Sequence, residues 1–432
     1  MIPPNPSTGT EKNEEEKMRH RGCSLIAALV GLGCVMIASP AVRAWDAKEE
    51  MRDGLPWVLN PDTPKDGKQE IELKELWRLS GDDEDELFGV VSSVFKDGDG
   101  NICLLDSQLS ELRIYSPDGT RIRTMGRAGE GPGEFTQGFS GCALPGGGYA
   151  VIQNFPGKVV KFNTDGTPAG TMMPALSDDP AAQAFLIGFE IKAVGENLGV
   201  VCMNQQFTQG VMHRTHMVGL FDDEGKLLTR LVGFEDDVDM SQGIPISEDS
   251  GGSYRDRWVA LPGGPIYAVP RYYGYEIRAF DLEGKATGVI TREYEHLPRT
   301  PEEKQMWIDF YNGVAASIPN ARPEVEDGHR DISGLYVGAD GRLWVQSSRG
   351  QMRVPDGVLG IYDVFDEKGR FIREVSLKAP GNPVEDGVFM MGDRVVVVTG
   401  LLSSAMSSMG GGASAGDDRT EEEDLAIICY GL

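Results

Sequence analysis

A four-strand pattern that recurs along the chain constrains the fold more than any other feature of this sequence. In residues 91–126, four short apolar runs are separated by turn sequences at 97–101, 106–107 and 118–119. The Asp-Gly and Gly-Asn pairs in these turns supply the positive φ angles that tight hairpins require. Residues 91–126 are therefore predicted to form an antiparallel meander of four strands, which we call A, B, C and D.

The same order of runs and turns returns in four more units and begins a sixth time at residue 387. The further complete units cover residues 139–172, 187–232, 257–293 and 331–377. Repeats of about 40 to 50 residues, some lengthened by loop insertions, are typical of the blades of a β-propeller. Five complete units and one incomplete unit predict six blades.

The incomplete sixth unit indicates how the ring is closed. It has three strands and lacks the fourth, whereas the N-terminal segment 71–80 resembles the fourth strands of the other units. A terminal strand that completes the last blade removes exposed sheet edges and holds both chain ends. We therefore predict an all-β fold over residues 71–432, a six-bladed β-propeller of four-stranded antiparallel blades closed by the N-terminal strand.

Three insertions lengthen the predicted ring, and the first of them, residues 233–253, is acidic and rich in Gly and Ser and is predicted to be a mobile loop. Residues 296–330 contain one helix, because Thr300 can cap a helix that starts at Pro301 and apolar residues then recur at four-residue spacing. These apolar residues are Met306, Phe310, Val314 and Ile318. Residues 402–424 are a low-complexity stretch rich in Gly and Ser and are predicted to be a flexible loop.

Residues 1–44 have the pattern of a leader followed by a secretory signal peptide. A basic segment at 19–21 precedes an apolar run at 23–39, and small residues at 42 and 44 offer a cleavage site. An uncleaved anchor and a lipoprotein modified at Cys34 are the alternatives. All three predict that the body of the chain is exported and periplasmic, cell-surface or extracellular. Residues 45–70 are expected to be a linker.

The acidic composition limits the classes of partner. The formal net charge is −26, so phosphate backbones are repelled and no nucleic-acid partner is expected. No cofactor is predicted, although an acidic rim leaves calcium as a possible bound cation. We expect a monomer that contacts the membrane only through an uncleaved N-terminal segment.

Several motifs that suggest chemistry do not have the required spacing. The glycines of 126–134 do not follow a nucleotide-binding pattern and are predicted to connect two blades, and 97–101 lacks the later ligands of a calcium loop. His213 and His216 are three apart on a strand and face opposite sides, so no metal site is predicted. Four cysteines lie in apolar runs and are expected to be buried hydrophobes, with disulfides as the alternative: Cys103, Cys142, Cys202 and Cys429.

The segment GRAGEGPGEF at 126–135 resembles a segment that follows the first blade in bacterial exported six-bladed β-propeller proteins, which are relatives of NHL-repeat propellers. The segments at 75–89, 97–106 and 340–345 are similar to that family as well. The resemblance covers roughly residues 70–400. It implies the propeller fold and no shared catalytic motif. Some NHL-type propellers are metal-dependent lyases with clustered histidines, and this sequence does not match that cluster.

A ligand site is predicted on the face that carries the B-to-C turns and the D-to-A crossovers, because loops on a rigid ring often carry function. Their amide, aromatic and Arg side chains suit sugars, peptides or carboxylates, and Arg271 and Arg349 could bind an anion. The candidate residues are Asp106, Asn154, Asn204, Arg271, Tyr272, Tyr273 and Arg349.

Two functions follow from this face. The first is a binding or scaffold module for an unknown small ligand or a cell-envelope protein. The alternative is a propeller enzyme, a lyase or hydrolase that acts on a small extracytoplasmic substrate at the channel mouth. The side chains available for catalysis are His329, Asp106, Tyr272 and Arg349.

Overall fold

The computed structural model describes residues 45–80, 87–177, 185–248, 254–316, 318–408 and 425–432. The predicted leader and signal peptide, and residues 409–424 of the predicted flexible loop, lie outside these ranges. The chain begins with four strands: β1 (Lys48–Arg52), β2 (Leu55–Asn60), β3 (Lys68–Glu72) and β4 (Lys74–Ser80).

The next three sheets are four-stranded and antiparallel, as the turn pattern predicts. Blade 1 comprises β5 (Val91–Lys96), β6 (Ile102–Asp106), β7 (Glu111–Tyr115) and β8 (Arg121–Met125). Blade 2 comprises β9 (Gly138–Ala143), β10 (Tyr149–Gln153), β11 (Val159–Phe162) and β12 (Pro168–Met172). Blade 3 comprises β13 (Leu186–Val194), β14 (Asn197–Thr208), β15 (Val211–Phe221) and β16 (Leu227–Asp239), and β17 (Ile244–Ser247) follows it.

The last three blades carry the two later insertions. Blade 4 comprises β18 (Trp258–Ala260), β19 (Ile266–Ala268), β20 (Glu276–Phe280) and β21 (Ala286–Arg292), and is followed by α1 (Pro301–Ala315) and β22 (Ala321–Glu324). Blade 5 comprises β23 (Ile332–Val337), β24 (Leu343–Ser347), β25 (Val358–Phe365) and β26 (Phe371–Lys378), with α2 (Ser348–Met352) between β24 and β25. Blade 6 comprises β27 (Gly387–Met391), β28 (Arg394–Val398) and β29 (Ala426–Gly431), with α3 (Leu401–Ser408) after β28.

The predicted closure of the ring is confirmed. Strand β4 pairs antiparallel with β29 and supplies the fourth strand of blade 6, with Trp77 opposite Cys429. Trp77 also reaches the next blade, where its ring stacks on Tyr115 at 6.3 Å. Gly119 lies directly under the indole, because a Cβ there would be 2.7 Å from it and φ is +87°. One strand thus joins the last blade to the first.

Residues 45–70, which were expected to be a linker, form a belt of strands on the outside of the ring. Strand β2 pairs parallel with β21 of blade 4, and β3 pairs parallel with β26 of blade 5. Asn60 is buried between the two blades, where its Nδ2 donates to the Gly369 carbonyl at 2.9 Å. Its Oδ1 accepts from the Phe371 amide at 2.8 Å. The belt therefore supplies hydrogen-bond partners to backbone N–H and C=O groups on the outer strands of blades 4 and 5, which a four-stranded blade would leave unpaired.

Apolar clusters fill the spaces between neighbouring blades, while the inner strands surround the central channel. Trp344 and Tyr362 of blade 5, for example, belong to one cluster with Val395 and Ile428 of blade 6. The four cysteines of the ring are buried and free of disulfides, as their apolar contexts predict. Burial raises the pKa of the Cys142 and Cys202 thiols to about 12.

Helix α1 begins where the sequence predicts. The Thr300 hydroxyl accepts from the Glu303 amide at 3.2 Å, and the Glu303 carboxylate accepts from the Thr300 amide at 2.8 Å. This reciprocal cap satisfies two amides of the first turn. Helix α3 occupies the start of the segment predicted to be a flexible loop. In the part of the chain that the structure describes, no helix is long and apolar enough to cross a bilayer.

Candidate functional site

A cavity of about 290 Å³ lies at one mouth of the central channel. Its walls come from the crossovers into blades 4, 5 and 6 and from the B-to-C segments of blades 5 and 6, so it lies on the predicted face. It shares Arg255, Asp256, Ser333 and Gln351 with a larger cavity of about 660 Å³ that follows the inner strands. The mouth cavity is further lined by Glu248, Arg299, Met306, Trp307, His329, Arg330, Met352, Val384 and Leu402.

A buried ion pair forms one wall of the mouth cavity. The Arg299 guanidinium donates two hydrogen bonds of 2.6 Å to the two oxygens of Glu248, and both side chains are 2% exposed. Burial alone would lower the pKa of Arg299, but the hydrogen bonds and charge of Glu248 raise it above the ordinary value. The guanidinium also lies 5.6 Å from the Trp307 ring centroid. Arg299 is therefore a fixed structural cation.

Two further arginines line the same cavity with much looser partners. Arg330 is 3.9 Å from Glu248, whose oxygens already accept from Arg299, and it lies over the Tyr272 ring. Arg255 donates to the Ser92 carbonyl at 2.6 Å, and its nearest carboxylate among the described residues is Asp256 at 3.8 Å. Each guanidinium thus has N–H groups that no described carboxylate holds at hydrogen-bond distance.

The cavity wall includes His329, which is paired with a carboxylate behind it. His329 Nε2 lies 3.1 Å from Glu303 Oε2, and Arg353 Nη2 donates to the same oxygen at 2.9 Å. Burial lowers the pKa of His329 despite this carboxylate, so the imidazole is neutral near pH 7. Burial would raise the pKa of Glu303, but hydrogen bonds from Arg353, the Thr300 amide and His329 lower it to about 2.

Two of the predicted site residues hold the backbone of the ring, and a third lies within a strand. Asp106 is buried and accepts from the amides of Gly89 at 2.6 Å, Gln108 at 3.0 Å and Leu109 at 2.9 Å. Asn154 donates to the Gly188 carbonyl at 3.1 Å. Asn204 lies inside β14 opposite Leu186 and Thr215, because the hairpin of blade 3 continues to Thr208 instead of turning at 204.

The remaining predicted residues lie around the mouth, and one of them touches its wall. Tyr272 is buried and accepts from Arg299 at 3.4 Å. The Tyr273 hydroxyl donates to Glu326 at 3.1 Å. Burial, and to a smaller extent the charge of Glu326, raises the pKa of Tyr273 to about 12. Arg349 donates to Glu295 at 3.2 Å, and Arg271 is exposed. None of the last three lines the mouth cavity.

The motifs rejected on spacing have structural roles. Asp97 accepts from the amides of its own hairpin turn at 2.9 and 3.0 Å. His213 and His216 bond to different aspartates, Asp237 and Asp236. Among the described residues, no group of three or more His, Cys, Asp or Glu side chains is placed to hold a metal ion.

Sequence reasoning missed Arg255 and Arg330, although the sequence contains a signal for them. An Arg-Asp pair stands shortly before the inner strand of both blade 4 and blade 5, at 255–256 and 330–331. The two pairs are not at equivalent positions, because Arg255 lies five residues before the end of β18 and Arg330 seven residues before the end of β23. They share only their place in the crossovers that line the mouth cavity.

The six sheets, the inner ring and the shared closing blade define this chain as a six-bladed β-propeller. No protein-family profile and no curated protein sequence matches it. Its structure is similar to that of a candidate exported protein of Bacteroides fragilis, with 13% identity, a TM-score of 0.43, and coverage of 84% of this chain and 99% of the other. The likeness to a member of the DUF4221 family from Bacteroides vulgatus has 9% identity, a TM-score of 0.43, and coverage of 83% and 97%.

A third similar structure is the calcium-binding protein regucalcin of Agrobacterium tumefaciens. It shares 14% identity and a TM-score of 0.40, with coverage of 83% of this chain and 94% of the other.

Proposed function

We propose that this protein is an extracytoplasmic binding propeller that takes a small organic anion at the channel mouth. One observation carries the proposal: Arg255 and Arg330 line the same cavity and have only long contacts to described carboxylates, at 3.8 and 3.9 Å. Arg299 provides the contrast, because both oxygens of Glu248 accept from its guanidinium at 2.6 Å. An anion would supply the close acceptors that the two looser guanidiniums lack.

The lining of the cavity supports a ligand with a charged end and an apolar body. Guanidinium groups bind carboxylates and phosphates through paired, charge-assisted hydrogen bonds. Met306, Trp307, Met352 and Leu402 offer apolar contact elsewhere in the cavity. Ligand pockets commonly measure about 300–1,000 Å³, so about 290 Å³ suits a small metabolite. Because the net charge of the chain is −26, most of its surface repels anions, and a local group of arginines would direct an anion to the mouth cavity.

The proposed location and state follow from the sequence. The pattern of residues 1–44 supports export, and the ligand would be met in the periplasm, at the cell surface or outside the cell. We propose a monomer, because the closed ring forms the mouth cavity from one chain.

A thermal-shift screen of the purified protein tests the proposal. The panel holds mono- and dicarboxylates, phosphate esters, neutral sugars, amines, Ca²⁺ and EDTA. A ligand at 100 times its dissociation constant adds about 2.7 kcal/mol to the free energy of unfolding. We expect stabilisation by an organic anion, lost in Arg255→Ala and Arg330→Ala and kept in the matched control Arg271→Ala. Stabilisation by neutral or cationic compounds only would contradict the proposal.

A second function, a lyase or hydrolase that uses the same cavity, is favoured by one observation. The neutral His329 lines the cavity, and Glu303 holds one of its ring nitrogens at 3.1 Å. A histidine oriented by a carboxylate can act as a general base. His329→Gln should then keep anion binding and abolish turnover of the bound compound. A wild-type protein that binds the anion and leaves it unchanged would reject the enzyme and keep the binding module.

A further inference from the structure

Three exposed phenylalanines form a contact group on the rim of blades 2 and 3. Phe155 lies between β10 and β11, Phe185 directly precedes β13, and Phe207 is near the end of β14. Their exposed fractions are 52%, 42% and 46%. The ring centroids of Phe155 and Phe185 are 6.5 Å apart, and those of Phe185 and Phe207 are 5.2 Å apart. We call this group the phenylalanine rim.

The three rings come from separate parts of the chain and meet on one face. A B-to-C turn of blade 2, the crossover into blade 3 and the long B-to-C hairpin of blade 3 each contribute one ring. Their mutual contacts hold the rings in place without burying them, so little side-chain freedom remains to be lost when a ligand binds. Exposed and ordered aromatic rings are typical of a binding surface.

The area of the rim limits the size of the partner. At about 200 Å² for a fully exposed ring, the three exposed fractions leave about 280 Å² open to solvent. A stable protein interface needs about 800 Å² from each partner. The rim alone is too small for a protein partner, but its open area is of the size that two or three sugar rings would cover.

The chemistry around the rim limits the charge of the partner. The segments 153–157 and 205–210 contain no Asp, Glu, Lys or Arg in a chain whose net charge is −26. Surfaces that bind anionic lipid need basic residues beside their aromatic ones. The hairpin tip instead carries the exposed Thr208 and Gln209, which can exchange hydrogen bonds with hydroxyl groups.

We propose that the phenylalanine rim binds a neutral polysaccharide chain, independently of the mouth cavity. The C–H groups on one face of a pyranose ring are weakly positive and pack on the negative face of an aromatic ring. Hydroxyl groups at the edge of the same sugar reach the hydroxyl and amide groups of the hairpin tip. The surface would hold the exported propeller on a glycan while the mouth takes its own ligand.

Affinity gel electrophoresis of the full chain tests this inference. The gels contain one neutral polysaccharide each: mixed-linkage β-glucan, xylan, mannan, laminarin or starch. We expect at least one of them to retard the wild-type protein, and we expect the triple variant F155A/F185A/F207A to migrate as in a gel without glycan. Each single substitution should weaken binding by about 5- to 20-fold, as expected for loss of one stacked ring.

Two controls make the result specific to the rim. Leu228→Ala removes an equally exposed apolar side chain from β16 (50% exposed) and should leave the retardation unchanged. The circular dichroism melting curve of the triple variant should match the wild type, because all three rings are half-exposed. Retardation by none of the glycans, or by acidic polygalacturonate only, would overturn the inference. So would equal retardation of the triple variant, or rim-dependent binding to phosphatidylcholine vesicles without glycan binding.

Discussion

Two crossovers on the same face of the ring show how one kind of connection can close on itself or form the wall of a cavity. The short crossover from blade 1 to blade 2 closes on itself, because Glu134 accepts from Arg127 at 2.7 Å and from the Gly131 amide at 2.8 Å. The long crossover from blade 4 to blade 5 sends Arg299 into a buried pair with Glu248 of another crossover. It also presents His329 and Arg330 to the mouth cavity.

The difference lies in where the charges are neutralised. Arg127 is largely exposed at 79%, and its charge serves only the local turn. Arg299 is 2% exposed, and its pairing with Glu248 builds a wall that leaves Arg330 without a close carboxylate among the described residues. The buried pair thus occupies the carboxylate nearest to Arg330 and leaves the positive charge of Arg330 without a close partner among the described residues. The exposed Arg127 pair has no such effect on a neighbouring charge.

The largest effect is expected from breaking the buried pair. Glu248→Ala should lower the free energy of unfolding by about 3–5 kcal/mol, because it leaves the Arg299 charge buried and without its carboxylate. Arg127→Ala in the short crossover should change it by less than about 0.5 kcal/mol. Urea denaturation of both variants measures the comparison. If both substitutions lowered the free energy of unfolding by the same amount, the buried pair would contribute no more to stability than the exposed one.

A smaller loss of stability is expected from the apolar anchor of the short crossover. Phe135 is fully buried, and its ring packs edge-on against Phe162 at 6.5 Å. Phe135→Leu should cost about 1–2 kcal/mol of unfolding free energy through lost volume. Anion binding at the mouth should not change, as calorimetric titration of the folded variant would show. A large loss of affinity would make the short crossover part of the site.

A change in affinity without a change in stability is expected at Arg330. Arg330→Ala should weaken binding of the anion about 10-fold or more, because a charge-assisted contact is worth about 1.5–3 kcal/mol. The melting temperature without ligand should stay within about 1–2 °C of the wild type, since its ion pair is long. Arg330→Lys keeps the positive charge but cannot donate two parallel hydrogen bonds, so its affinity should lie between those of Arg330→Ala and the wild type. A melting temperature that falls with the affinity would assign Arg330 a structural role.

A pH dependence that is expressed only in acid, below the ordinary pKa of a glutamate, also belongs to the long crossover. The folded-state pKa of Glu303 is lowered to about 2 from its ordinary 4.5, with His329 and Arg353 facing its carboxylate. The stabilisation is therefore present above pH 4.5 and is lost as the pH falls toward 2. Glu303→Gln should have a flatter stability curve than the wild type between these pH values. Parallel curves for the two proteins would contradict the depressed pKa.

Local turn chemistry explains why most of the fold was predictable. Turns that contain Gly recur in each blade, with Asp-Gly pairs in blades 1, 2 and 5, and the closing strand could be recognised because Trp77 and its neighbours repeat the fourth-strand pattern. The belt was not recognised as part of the fold, although β1 and β2 form a local hairpin around Asp53-Gly54. Its attachment to the ring could not be read locally, because β2 and β3 pair with β21 and β26 far along the chain, as the bond from Asn60 to the Gly369 carbonyl illustrates.

The mouth cavity lies among the loops from which the site was predicted, but its arginines were not among the candidate residues. Asp106 looks functional in a turn sequence, yet three backbone amides occupy its carboxylate. Arg255 and Arg330 are 75 positions apart and come together only when blades 4 and 5 lie side by side in the ring. Whether a charged side chain is already paired depends on that geometry and is not visible along the sequence.

Isothermal titration of the double variant R255A/R330A tests the central claim most directly. The ligand is the organic anion that stabilises the wild-type protein most in the thermal-shift screen. The two loosely paired guanidiniums predict a loss of affinity of about 100-fold or more, with an unchanged melting temperature of the free protein. A dissociation constant equal to that of the wild type would contradict the claim that the channel mouth is an anion site.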